Sequence, residues 1–168
     1  VALKADGTVV SWGVGDAELL NTSSLSNIIA IGAGNYYSLA LKSDGTVVAW
    51  GTSNGSVLQN LPDLTNVIDI EAGPHWAFAL KSDNTVEGWG SNDYGQINVP
   101  GGLTDVVDIV SGADYHALAL KANGTVVSWG YNFGSILNVP SGLLEYYPSI
   151  QLRFLLSASN ALSKNVMT

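Results

Sequence analysis

One ten-residue segment recurs four times along the chain. Residues 4–13 read KADGTVVSWG, 42–51 KSDGTVVAWG, 81–90 KSDNTVEGWG and 121–130 KANGTVVSWG. Lys4, Lys42, Lys81 and Lys121 stand 38, 39 and 40 residues apart, and Trp12, Trp50, Trp89 and Trp129 keep the same register. A fixed period of this length marks repeated supersecondary units, each of which buries its apolar face only by stacking on its neighbours. Nothing else in the sequence restricts the fold as much.

Two apolar runs precede the segment in three of the units. The first run is IIAIGAG over 28–34, VIDIEAG over 67–73 and VVDIVSG over 106–112; the second is SLALK, AFALK and ALALK, ending at Lys42, Lys81 and Lys121. Between Lys and TVV stand Asp6-Gly7, Asp44-Gly45, Asp83-Asn84 and Asn123-Gly124, dipeptides that accept the positive φ of a tight hairpin. Each unit therefore predicts strand, short turn, strand, tight turn, strand and a longer loop. The TVV flanks are β-branched, as strands prefer. Apolar residues at nearly every strand position predict sheets covered on both faces. The expected class is all-β, and three or four strands closing on Trp-Gly read as a propeller blade. A β-solenoid, with shorter rungs, is the second architecture.

The pattern LTDVVDIVSGADYHALALKANGTVVSWG, followed by N-x-x-G-x-x-x-V-P, resembles the regulator of chromosome condensation repeat, most of all its short bacterial form. The resemblance covers residues 1–143. It implies a propeller with four-stranded blades, usually seven to a ring. About 3.5 short blades are present: a partial one over 1–24, then 25–63, 64–102 and 103–143. This corresponds to an open arc or a fragment of a seven-bladed ring, with open blade faces available for self-association. Residues 144–168 match no blade and form a non-repeat tail. With Val1 first and Met167 the one methionine, the expectation is a processed product or a piece of a longer protein.

Composition narrows the partners. Six basic residues against 14 acidic give a net charge of −8, so the chain offers no sizeable basic face for a phosphate backbone or an anionic membrane. No apolar run approaches the ~18 residues of a spanning helix, so no membrane insertion is expected. Cysteine is absent, which removes disulfides, thiolate metal sites and cysteine nucleophiles. Low charge without cysteine, together with the resemblance, favours a secreted or cell-surface setting.

The candidate site is the turn between the two apolar runs: Asn35-Tyr36-Tyr37, Pro74-His75-Trp76 and Asp114-Tyr115-His116. Equivalent turns of successive blades line one face, and rigid aromatic residues there make a protein-binding surface. The resemblance carries a binding role onto Tyr36, Tyr37, Trp76 and Tyr115, with Asn35 and Asp114 at the rim and His75 and His116 in the same turns. The alternative is that these rings pack between blades. His116 is expected to be structural, and the repeat tryptophans to be buried.

Other features carry less. Gly51-Thr52-Ser53-Asn54-Gly55 matches G-x-S-x-G, but a hydrolase elbow needs a following helix, an acid and a histidine, and no helix is expected here. His75, His116 and Asp114 fall short of a convincing zinc site, so neither metal nor cofactor is expected. Glu87 replaces the valines of Val10, Val48 and Val127 and reads as an exposed outer-strand residue. The repeat lysines are expected to pair locally with Asp6, Asp44 and Asp83. The function expected is a non-enzymatic protein-interaction module with a partner of unknown identity. The alternatives are an architectural repeat domain without a dedicated ligand and, through the family name only, a small-GTPase exchange role.

Overall fold

The computed structural model describes residues 1–13, 20–52, 56–112 and 114–140. The non-repeat tail, Ser53 and its neighbours Asn54 and Gly55 lie outside the described residues. Four small antiparallel sheets follow one another along the chain. The first is the hairpin β1 (Ala2–Leu3) and β2 (Val9–Val10). Three three-stranded sheets follow: β3 (Ile28–Ala33), β4 (Tyr37–Lys42) and β5 (Val47–Gly51); β6 (Val67–Ala72), β7 (Trp76–Lys81) and β8 (Val86–Gly90); β9 (Val106–Ser111), β10 (His116–Lys121) and β11 (Val126–Gly130). In each, the second strand is central. The first strands of successive sheets contact one another, as the inner strands of propeller blades do. Residue for residue the sheets share one register: Ser38 opposes Trp50, Ala77 opposes Trp89 and Ala117 opposes Trp129.

The fourth strand implied by the resemblance does not form in these blades. After β8 the chain reads SNDYGQINVPGG, and residues 91–105 contain turns and no strand. Asn, Asp, Gly and Pro are the residues least suited to a ladder. After β5 a single helical turn, Ser56–Gln59, follows instead, contrary to the expectation that no helix comes after the Gly51–Gly55 segment.

The seams between blades form the core. Along each central strand, large side chains face one way and small ones the other. Tyr37, Leu39 and Leu41 meet Ile70, Ala77, Ala79 and Trp89 of the next blade. Trp76, Phe78 and Leu80 meet Ile109, Ala117, Ala119 and Trp129 in the seam after that. Large residues nesting against alanines let two twisted sheets approach closely without voids. Phe78 packs edge-on against Trp129, with ring centroids 5.6 Å apart.

Each repeat tryptophan packs on the blade before it, and its burial follows from that. Trp89 is 3% and Trp129 5% exposed, while Trp12, with no described blade before it, is 65% exposed. Trp50 packs beside the short first hairpin and is half-buried. The expectation that the repeat tryptophans are mostly buried therefore holds at Trp89 and Trp129 and fails at Trp12. At the other end of the arc, His116, Leu118 and Leu120 are half-buried where their counterparts Trp76, Phe78 and Leu80 are buried.

Each blade has two ends. The turn end carries the tight turns, where Gly7, Gly45 and Gly124 take φ of 76°, 81° and 83° and Asn84 takes 62°. The carbonyl at that position accepts from the first amide of the next blade: Ile28 N–H donates to Gly7, Val67 N–H to Gly45 and Val106 N–H to Asn84, at 3.0, 3.3 and 3.1 Å. Asn27, Asn66 and Asp105, just before each first strand, also have positive φ, a conformation Asn and Asp tolerate. The opposite, loop end carries the aromatic turns and the long loops.

Candidate functional site

The sequence groups Tyr36, Tyr37, Trp76 and Tyr115 as one projecting set. The structure divides the three turns differently. Tyr36, His75 and Tyr115 are equivalent turn residues. Tyr37, Trp76 and His116 are the first residues of β4, β7 and β10. The strand-first residues turn inward. Tyr37 and Trp76 are buried, so neither projects from a turn, and His116 is half-buried. The physical reason lies three residues upstream of Tyr37 and Trp76 and four upstream of His116: a Cβ at Gly34, Gly73 or Gly112 would collide with the ring of Tyr37, Trp76 or His116 respectively. A residue without a side chain leaves the slot into which each ring folds.

Tyr37 joins two blades. Its hydroxyl reaches the carbonyl oxygens of Gly73 at 2.8 Å and Trp76 at 2.5 Å. Burial, and secondarily the charge of Glu71, pushes its phenol well above the usual tyrosine range, so it remains a neutral donor. Glu71 makes the next tie, accepting from the Ser111 amide and hydroxyl at 3.0 and 2.9 Å. Asn35 N–H donates to the Pro74 carbonyl across the same seam as Tyr37.

The turn residues remain at the surface. Tyr36 is exposed and stacks on His75, with centroids 5.9 Å apart and planes 27° apart. Asn35 Nδ2 lies 3.4 Å from His75 Nε2, and Asn35 and Asp114 are exposed. Tyr115 holds φ of 59°, an uncommon conformation for a bulky residue.

A row of rings that the sequence reading left in connecting loops completes this end. Trp76 is 5.5 Å from Tyr115, Tyr115 4.6 Å from Tyr94, Tyr94 5.0 Å from Tyr131 and Tyr131 6.2 Å from Phe133. Tyr94, Tyr131 and Phe133 are exposed. Beneath them Gln96 is buried: its Oε1 accepts the Tyr94 amide at 2.9 Å, and its backbone carbonyl accepts Trp129 Nε1 at 2.9 Å. The sequence signal was available, because Tyr94 and Phe133 occupy nearby positions in the gap-free pair GSNDYGQINVP and GYNFGSILNVP.

The remaining candidates resolve plainly. Asp6, Asp44 and Asp83 accept both the amide and the hydroxyl of Thr8, Thr46 and Thr85. These bonds first, and the charges of Lys4, Lys42 and Lys81 to a smaller degree, hold the three carboxyls below their ordinary range. Lys81 pairs with Glu87 on the edge strand β8. His75 lies in a turn and His116 starts a strand, and no group of three metal-ligating residues gathers among the described residues. No described helix is long and apolar enough to cross a membrane.

Inter-blade seams, repeated turns and one aromatic end define a tandem-repeat β-propeller arc. The Regulator of chromosome condensation (RCC1) repeat family matches residues 28–56, 67–96 and 106–134, over half of the chain, and the chain belongs to that family. No curated protein sequence matches it significantly. Among solved structures, yeast RCC1 (Prp20) bound to Kap60 superposes with a TM-score of 0.66 at 19% identity, covering 83% of this chain and 43% of that one. Prp20p of Saccharomyces cerevisiae, whose binding to Gsp1p and histones has been described, gives 0.66 at 20% identity, covering 80% and 44%. The ectodomain of the Physcomitrella patens receptor kinase CR4 gives 0.65 at 23%, covering 83% and 38%. The chain thus spans less than half the length of these structures, which share its fold.

Proposed function

We propose that the chain is a non-enzymatic protein-interaction module whose contact surface is the loop end of its blades. The observation that carries this reading is the row of exposed rings Tyr94, Tyr131 and Phe133, continued by Tyr115, with Tyr36 and His75 on the adjoining turns. Rigid aromatic residues on a fixed scaffold bury much area at low entropic cost, and loops held by rigid sheets are where binding residues gather. The protein-binding properties described for yeast Prp20 agree with it. Asn35, Asp114 and the half-buried Tyr115 stay in the contact set. Tyr37 and Trp76 act through the scaffold that holds it.

The test is capture of partners by the immobilised chain from a lysate of its own host. Tyr94→Ser combined with Tyr131→Ser removes captured protein while leaving the circular dichroism melt in place. Capture that survives the double change returns the domain to its architectural reading. An alanine pair at Trp76 and Tyr115 does not serve, because the first of these is in the core. The exposed Trp12 face is where we place self-association; a concentration-independent monomer by sedimentation excludes it.

A further inference from the structure

The lysines of the described residues gather at one blade end, accompanied there by Asp6, Asp44 and Asp83. Lys4, Lys42, Lys81 and Lys121 all stand at the turn end, each immediately before a tight turn. The loop end carries Asp93 and Asp114, each directly preceding one of the contacting rings Tyr94 and Tyr115. No lysine or arginine stands there among the described residues, and its only ionisable nitrogens are the imidazoles of His75 and His116. Both carboxylates are on exposed residues. Asp93 accepts one bond, from the Ser91 hydroxyl at 2.9 Å, and neither it nor Asp114 forms an ion pair with a described lysine.

The rings at this end face in several directions. Tyr94 is inclined 43° to Tyr115 and 58° to Tyr131. Tyr131 and Phe133, by contrast, lie within 13° of parallel. Inclined phenols present separate ring faces. The face of an aromatic ring is its negative pole, to which an ammonium or guanidinium group is drawn. A neighbouring carboxylate adds to that attraction, and a net charge of −8 speeds the approach of a basic partner.

We propose that the loop end binds a basic, arginine- or lysine-bearing segment of a partner protein, its cationic groups lying over Tyr94 and Tyr131 beside Asp93 and Asp114. This rests on the loop end being the contact surface and names the chemistry of what it contacts.

The test is a nuclear magnetic resonance titration of the full chain with an oligo-arginine peptide, against a neutral proline-rich peptide and a maltooligosaccharide. Oligo-arginine shifts resonances of residues 92–96, 114–116 and 131–135 and leaves the turn end unmoved. The variant Tyr94→Leu with Tyr131→Leu keeps the net charge and the apolar area but removes the ring faces. It weakens oligo-arginine binding about tenfold, the effect of two cation–π contacts of about 0.7 kcal/mol each. Unchanged affinity in that variant overturns the proposal, because attraction by diffuse charge alone would then account for binding. So does a shift map centred on the turn end, or a neutral peptide or saccharide that binds equally well. Any of these outcomes leaves the contact surface itself to the capture experiment with Tyr94→Ser and Tyr131→Ser, which involves no oligo-arginine.

Discussion

The two ends of each blade are built from the same repeat but solve different problems. At the turn end the solution is identical in every unit: Asp or Asn accepts from the Thr amide two residues on, and Gly or Asn takes the positive φ. The main polar groups there are satisfied locally. At the loop end the equivalent positions hold Tyr36, His75 and Tyr115, and the loops beyond hold Tyr94, Tyr131 and Phe133. Their rings contact one another and remain open to solvent. A repeated and self-satisfied end is what folding requires of the unit. A varied, ring-rich end exceeds that requirement, which is why the proposed contact surface lies there.

The largest effect tests whether the buried rings at the loop end belong to the scaffold. Trp76→Ala and Trp89→Ala each cost about 3–5 kcal/mol by urea denaturation, the range for emptying a packed aromatic site. A loss below about 1 kcal/mol would place either ring outside the core. At the turn end, Gly45→Ala forces an alanine to φ of 81° and costs about 1–2 kcal/mol. A neutral result would show that the turn relaxes.

Acid separates the turns from the strands. Burial pushes the Asp69 and Asp108 carboxyls above their ordinary 3.8, and the charges of Asp69 and Glu71 add to the effect at Asp108. Folding is then strongest where both are protonated and weakens as pH rises through their folded values. Asp6, Asp44 and Asp83 are shifted the other way, so their contribution holds above 3.8 and is lost as pH falls through their folded values. Thermal melts from neutral pH down to the carboxylate range should therefore rise before they fall. Asp69→Asn with Asp108→Asn flattens the rise and keeps the fall; an undiminished rise would locate the titrating groups elsewhere. The smallest effect is the counterpart of the first: Tyr94→Ser with Tyr131→Ser leaves stability within about 0.5 kcal/mol, as exposed positions do, and a larger loss would make those rings structural.

Much of this contrast was legible in the sequence. The 38–40-residue period, the four tight turns and the three strands per unit rest on local chemistry that a sequence displays directly. The division within each aromatic turn was not legible, because Tyr36 and Tyr37 differ by one residue, and one residue in a strand reverses the face. The available clue was the glycine three positions before each buried ring, read as the end of a strand rather than as space for a side chain. The helical turn at Ser56–Gln59 depends on how its loop settles against neighbouring blades, for which the sequence carries no periodic signal, whereas the Asn, Asp, Gly and Pro of residues 91–105 speak against a fourth strand directly. Exposure of Trp12 depends on which blade precedes it, a tertiary fact about the arc.

The turn end has a competing surface of its own. Ile29, Ile68 and Val107 are equivalent, exposed aliphatic residues at the start of the first strands. The most direct test of the account is therefore amide hydrogen exchange of the chain alone and with its captured partner. The account predicts slowed exchange over residues 92–96 and 131–135, with residues 27–30, 66–69 and 105–108 unchanged. Protection over the aliphatic row with the aromatic loops unaffected would contradict it and move the binding surface to the opposite end of the blades.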